Sequence, residues 1–320
     1  MSNRIAWIDW SKVLLIYLVV LAHYGNIGNY ADSLICHFHM PAFFLISGYL
    51  HKPLNIKDSL LKNTKRLLVP AFLFSLVCWG FYTAIEIIVK HQPLTLEDNV
   101  LRPLLGIVCY DRNIAFPQCG VIWFLEILFI CQILLDSFLK IGHRSVFIFC
   151  LLSVVATCVW TFEGINDFGL LFYVQRLCAS FPFVALGYYA KKQDWMLRIS
   201  NISPFVAILF LLMYIAGVYF NGRTGIYSYQ FGYSVLVYLQ ITLCGCLCFF
   251  YYVNKVKIGG KILVTLSNST ILILCLHRLM ITVLYEIGVG PYLGSLIIII
   301  LCYPLSIFFT TKLPWFIGRF

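Results

Sequence analysis

Long apolar runs, most close to twenty residues and separated by short polar breaks, dominate the 320-residue chain. An α-helix needs about 20 apolar residues to cross roughly 30 Å of hydrocarbon. The pattern therefore predicts an all-α, polytopic membrane helical bundle. About ten spans are expected, at 8–26, 34–50, 67–89, 120–139, 145–162, 169–190, 203–220, 232–253, 262–286 and 290–311. The first run is not read as a cleavable signal, because Asp9 and Lys12 interrupt its start and no small-residue cleavage site follows its apolar core. With no soluble domain, internal repeat or low-complexity tract visible, 1–320 reads as one membrane-embedded domain.

Composition strengthens that picture and charge orients it. Hydrophobic residues make up 61% of the chain and charged residues only 11%, against about a quarter charged in soluble domains. The net charge of +10 is not a nucleic-acid footprint, because it is sorted by side of the membrane. If the N-terminus is cytoplasmic, the outer loops hold only Lys90, Arg102, Arg112 and Arg223, and the inner segments hold the bulk of the Lys and Arg. That asymmetry is the positive-inside rule, and it predicts both termini inside. The longest connection, about 90–119, then lies outside, with a length that suits a lid or binding loop. Cys109 and Cys119 fall in it, in an oxidising compartment where a disulfide and two free thiols fit equally. The cysteines within spans read as small packing residues, and the histidines show no metal-ligand spacing, so no metal is expected.

Ionisable residues inside a bilayer are costly and usually face a cavity or each other. "LICHFHMPAFFLISGYL" (34–50) places His37 and His39 just before Pro41 in an otherwise apolar run. They point about 160° apart on a helix, so at most one faces a given site. His23, His37, His39, Glu126, Arg176, His277 and Arg278 all fall between the midplane and the outer surface once span directions are assigned. A polar cavity in the outer half follows, although Glu126 with Arg176 also suits an interhelical ion pair. His51 and His143 at inner helix ends, and His91 in the outer loop, are expected in solvent.

Lys12 and His23 are eleven positions apart, which sets them on one helical face about 16 Å from each other. A cation at the inner mouth and an imidazole further out suggest a path through the membrane. At the same mouth, "LLKNTKRLLVP" (60–70) brings Lys62, Lys65 and Arg66 together before the third span. Such a cluster serves topology, or it clamps phosphate.

Six segments in order resemble the integral-membrane acyltransferase family 3, nearest its fucose 4-O-acetylase-like branch. They are "NRIAWIDWSKVLLIYLVVLAH", "FHMPAFFLISGYL", "KRLLVP", "IWFLEILF", "FPFVALGYY" and "LSNSTILILCLHRLM". The family's R-x-x-R pair before the third span is replaced here by Asn63 and Arg66, or in another register by Lys62 and Lys65. The resemblance implies an O-acetyltransferase of the inner (cytoplasmic) membrane. Its donor is acetyl-CoA on the cytoplasmic side, and its acceptor is a surface glycan or lipid-linked sugar on the outer side. On that reading Lys12, Lys62, Lys65 and Arg66 hold the CoA phosphates. His23 acts as general base or acyl carrier, with His39, Glu126 or His277 orienting it or binding the acceptor. Arg176 or Arg278 stabilises the oxyanion. The rival reading is a transporter of glycans or organic acids using the same polar residues as its pathway. It lacks the repeats and paired broken helices common in such proteins.

Overall fold

The computed structural model describes residues 5–108, 121–163 and 169–320, and helix occupies each of the ten apolar stretches. The order is α1 (Ala6–Tyr24), α2 (Asn29–Tyr49), α3 (Ile56–Val89), a short α4 (Arg102–Val108), α5 (Trp123–Ile141), α6 (His143–Glu163), α7 (Gly169–Lys192), a short α8 (Trp195–Ser200), α9 (Pro204–Asn221), α10 (Val235–Lys255), α11 (Lys261–Asn268), α12 (Thr270–Glu286) and α13 (Pro291–Lys312). Among the described residues there is no β-strand, only an isolated bridge between Gly225 and Gln230. Among the described residues seven helices are long and apolar enough to cross a membrane, and α11 with α12 makes an eighth candidate bent by 76°. α2 and α5 reach 21 and 19 residues but carry polar side chains that build the site. The protein is an all-α membrane bundle.

Sequence chemistry sets the helix ends. Ser203 and Ser234 accept the backbone N–H groups of Val206 and Val237 through their hydroxyls, capping α9 and α10. α1 stops at Gly25, whose φ of +76° is available to glycine at no steric cost. The outward faces remain apolar, as on α6, where Phe147, Ile148 and Leu151 are exposed. Facing lipid, they need no protein partner.

Three interruptions depart from straight spans, and each has a local cause. Pro41 lacks the N–H that would bond the His37 carbonyl four residues earlier. That carbonyl instead accepts the Thr242 hydroxyl of α10 at 2.9 Å. The proline thus opens α2 at His37 rather than at His39. In α3 the helix begins at Ile56, well before the expected span at 67, because the basic segment is itself helical. A π-turn at Thr64–Leu68 shifts the register just before Pro70, with the Val69 N–H bonded to the Thr64 carbonyl. The expected span at 262–286 is two helices, because the chain breaks at Ser269. The Asn268 carbonyl at that break accepts from Arg319 at 3.2 Å, and the neighbouring Ser267 hydroxyl donates to buried Asp9 at 2.5 Å.

α2 is the central element, packed most extensively against α7 and also against α1 and α10. Its contact with α7 runs backbone to backbone. A Cβ on Gly48 would meet the Val184 carbonyl, and one on Gly187 would meet the Leu45 carbonyl. Small residues permit such close approach in membranes. Ser47, next to Gly48, instead turns toward a cavity.

Candidate functional site

Two cavities lie end to end along α1 and α2. The basic cavity, about 100 Å³, opens where α1 begins and is lined by Lys12, Lys62 and Arg66 with Ser47, His51 and Gln132. Its apolar wall, including Phe43, Phe124 and Leu128, runs inward to Val19 and Met40. The histidine cavity, about 480 Å³, lies toward the end of α1 and is lined by His23, His39, Asp32, Trp123, Tyr227 and Arg278. Met40 borders both cavities. A slender, unbranched thioether thus lines both. Lys12 and His23, predicted on one face of α1, open into different cavities along that face.

Four of the helical histidines share one local geometry. Nδ1 of His23, His37, His39 and His277 lies 2.9, 2.9, 2.7 and 3.1 Å from the carbonyls of Val19, Ser33, Ile35 and Ile273. A carbonyl only accepts, so Nδ1 carries the hydrogen and Nε2 of each neutral ring keeps its lone pair. Their surroundings then separate them. The His23 and His277 rings meet edge to face with centroids 5.0 Å apart. His277 is wholly buried behind His23, and its Nε2 takes no hydrogen bond among the described residues. Arg278 reaches back to the His23 carbonyl at 3.5 Å. His23, His39 and Arg278 thus converge on one cavity.

His37 does not join them. It is buried, and its Nε2 accepts from the Asn221 amide at 3.4 Å. Asn221 in turn donates to the Phe231 carbonyl and accepts the Tyr233 N–H, tying down the loop between α9 and α10. The two imidazoles flanking Phe38 therefore divide as their opposite directions required, with His39 in the cavity and His37 in the scaffold.

Arg176 lies at 1% exposure and borders neither cavity. Its guanidinium donates twice to the Tyr227 carbonyl, at 2.6 and 3.1 Å, and once to Gln175. It also lies 4.1 Å from the centre of the Phe172 ring and 5.1 Å from that of Tyr229. Arg176 therefore holds the turn that carries Tyr227 into the cavity wall. Glu126 is buried on α5 and also borders neither cavity. Lys65 is exposed, as Lys62 and Arg66 are, but it does not border the basic cavity, and its ammonium lies 5.5 Å from the Phe320 ring.

One expectation is reversed. His51, read as solvated from its place at a helix end, is buried and lies 2.7 Å from Asp136 in the wall of the basic cavity. A buried acid within the apolar run of α5 was the signal for it, since such a charge requires a partner. In the histidine cavity the sequence reading missed Asp32, Trp123 and Tyr227. Asp32 pairs there with Arg223 of the α9–α10 loop at 3.0 Å. Cys109 and Cys119, for which a disulfide and two free thiols fit equally, lie outside the described residues, while the described part of the outer loop holds α4 and the Arg102 pairs with Glu97 and Asp98. Among the described residues no three His, Cys, Asp or Glu side chains converge as a metal-binding set.

The fold and cavities define an integral-membrane helical protein with a cationic cavity beside a histidine-lined one. The chain belongs to acyltransferase family 3, whose acyltransferase-domain model matches residues 5–317. It is also similar to the nodulation protein NolL of Mesorhizobium japonicum, at 25% identity over 210 residues, or 61% of this chain and 50% of that relative. The chain thus spans about half the length of the curated relative it matches. No solved structure matches it.

Proposed function

We propose that this protein is an O-acetyltransferase of the inner (cytoplasmic) membrane, with both termini inside. Acetyl-CoA enters from the cytoplasm at the basic cavity, and the acetyl group reaches a sugar hydroxyl of a surface glycan or lipid-linked precursor in the histidine cavity. The observation that carries this reading is the Met40 boundary between a phosphate-binding kind of cavity and one holding an imidazole with a free lone pair.

Lys12, Lys62 and Arg66 suit the CoA phosphates, as cationic donors that bond phosphate oxygens strongly. The apolar wall leading to Val19 suits the uncharged pantetheine arm. Acetyl-CoA supplies an activated thioester. The Val19 carbonyl fixes the tautomer of His23, so Nε2 can take the proton of the acceptor hydroxyl as its oxygen attacks the thioester carbon. The new C–O bond replaces the C–S bond, and the leaving thiolate recovers that proton from the imidazolium. Arg278 supports the negative charge that develops on the carbonyl oxygen. His39 presents a second Nε2 lone pair to an acceptor hydroxyl. His277 packs against His23 and holds its ring, and Arg176 acts through the Tyr227 turn. Glu126 keeps no direct part in this scheme, and Lys65 at most adds to the field at the mouth.

The test is turnover of acetyl-CoA labelled in its acetyl group by the full chain in nanodiscs, with and without extracted envelope glycans. Transfer, or slow hydrolysis in the absence of acceptor, supports the reading. Failure to bind acetyl-CoA at all overturns it in favour of the transport reading. Met40→Trp is expected to leave donor binding at the basic mouth in place and to lower turnover at least about tenfold, because the indole fills the connection that the flexible thioether leaves passable. Full turnover in this variant would show that the arm takes another route.

A further inference from the structure

The reading above leaves one pair of ionisable side chains unused. His51 follows the C-terminal end of α2 and Asp136 sits on α5, and their side chains are 3% and 0% exposed. The Asp136 oxygen that receives His51 Nε2 at 2.7 Å also accepts the Leu54 N–H at 3.0 Å. An ionised carboxylate is only an acceptor, so the imidazole donates through Nε2 and the ring is fixed with its other nitrogen free. Among the described residues no protein group bonds Nδ1, and His51 shares its cavity with Lys12, Lys62 and Arg66.

Burial of such a pair is weak evidence for stability, because desolvating two charges offsets much of their attraction. Its place in the cavity wall gives it another use. A phosphate on the open side of the ring would give it an anion at each nitrogen, the arrangement in which an imidazolium donates through both, and would add that donor to the three cations. An anion with several oxygens can collect all four. Phosphate in a nucleotide donor and phosphate in a lipid headgroup share this chemistry.

We propose that His51, oriented by Asp136, is a phosphate-binding residue that makes the basic cavity select CoA-borne acyl groups over the bare acyl-pantetheine arm. This rests on the donor reading given above. Asp136 is the positioning residue of the pair, since it faces His51 and not the ligand.

The test compares acetyl-CoA with acetyl-pantetheine, which carries the same thioester without phosphates, using the full chain in phosphatidylcholine nanodiscs. His51→Gln keeps a side-chain N–H for Asp136 and removes the second ring nitrogen. It is expected to lower kcat/KM for acetyl-CoA about tenfold more than for acetyl-pantetheine, mainly through KM. Asp136→Asn should move the same ratio in the same direction. Equal losses on both donors would mean that the pair only supports the fold, and would overturn the proposal. So would a wild type that does not distinguish the two donors. Selectivity that depends on His51 only when about a third of the lipid is phosphatidylglycerol would assign the contact to lipid headgroups and also overturn it. An active wild type with an unaffected His51→Gln ratio refutes this inference alone, whereas a wild type that uses neither thioester refutes the donor reading beneath it.

Discussion

His23→Ala is expected to bind acetyl-CoA and to turn it over roughly 10²- to 10⁴-fold more slowly, the range that a positioned general base contributes. The size of the effect follows from where His23 sits. Its Nδ1 is occupied by the Val19 carbonyl, so the one remaining nitrogen faces the histidine cavity, immediately beyond Met40. The cations proposed to hold phosphate line the other cavity, which would separate donor binding from chemistry. Single-turnover release of labelled acetate, measured beside equilibrium binding of acetyl-CoA, checks the prediction. Near-normal turnover in the variant would move the base to His39, which has the same tautomer and borders the same cavity.

The second large effect is structural. Gly48→Ala or Gly187→Ala inserts a methyl group into a backbone carbonyl of the opposing helix, and no flexible side chain can yield in its place. Overpacking by even small groups costs about 1–3 kcal/mol where neighbours relax. Here α2 and α7 must part, so a cost of about 3 kcal/mol or more is expected, with a thermal midpoint lowered by roughly 5 °C or more. Because α2 carries His39 and Met40 and leads directly into His51, acyl transfer should fall with stability. Thermal unfolding in detergent, followed by circular dichroism, measures this. Gly80, which has open space around it, is the control, and Gly80→Ala should unfold near the wild-type temperature. A Gly187→Ala midpoint equal to that of the control would refute the backbone contact.

What the sequence made legible was whatever depends on local period and local charge. Apolar runs located the helices, and an eleven-residue spacing put Lys12 and His23 on one face of α1. The opposed directions of His37 and His39 implied that only one would enter the cavity, and His39 does. What stayed hidden was pairing across the bundle. His51 and Asp136 are 85 positions apart, and although an acid in an apolar run demands a partner, nothing local says that the partner is His51. The carbonyl freed by Pro41 finds its donor 205 positions away from His37, at Thr242. Arg176 looked like a substrate group because a buried arginine is expensive. Its guanidinium donates to the Tyr227 carbonyl, in a turn whose position depends on α9 and α10 together. The bend at Ser269 was equally invisible, because both halves are apolar enough to read as one span.

The central claim is that one acyl donor bridges the two cavities past Met40. A cryo-electron microscopy map of the full chain with a non-transferable thioether analogue of acetyl-CoA tests it most directly. The account predicts phosphate density at Lys12, Lys62 and Arg66, an arm passing Met40, and the acetyl group beside His23. An analogue lodged wholly within the histidine cavity, or with its phosphates away from those three cations, would contradict it.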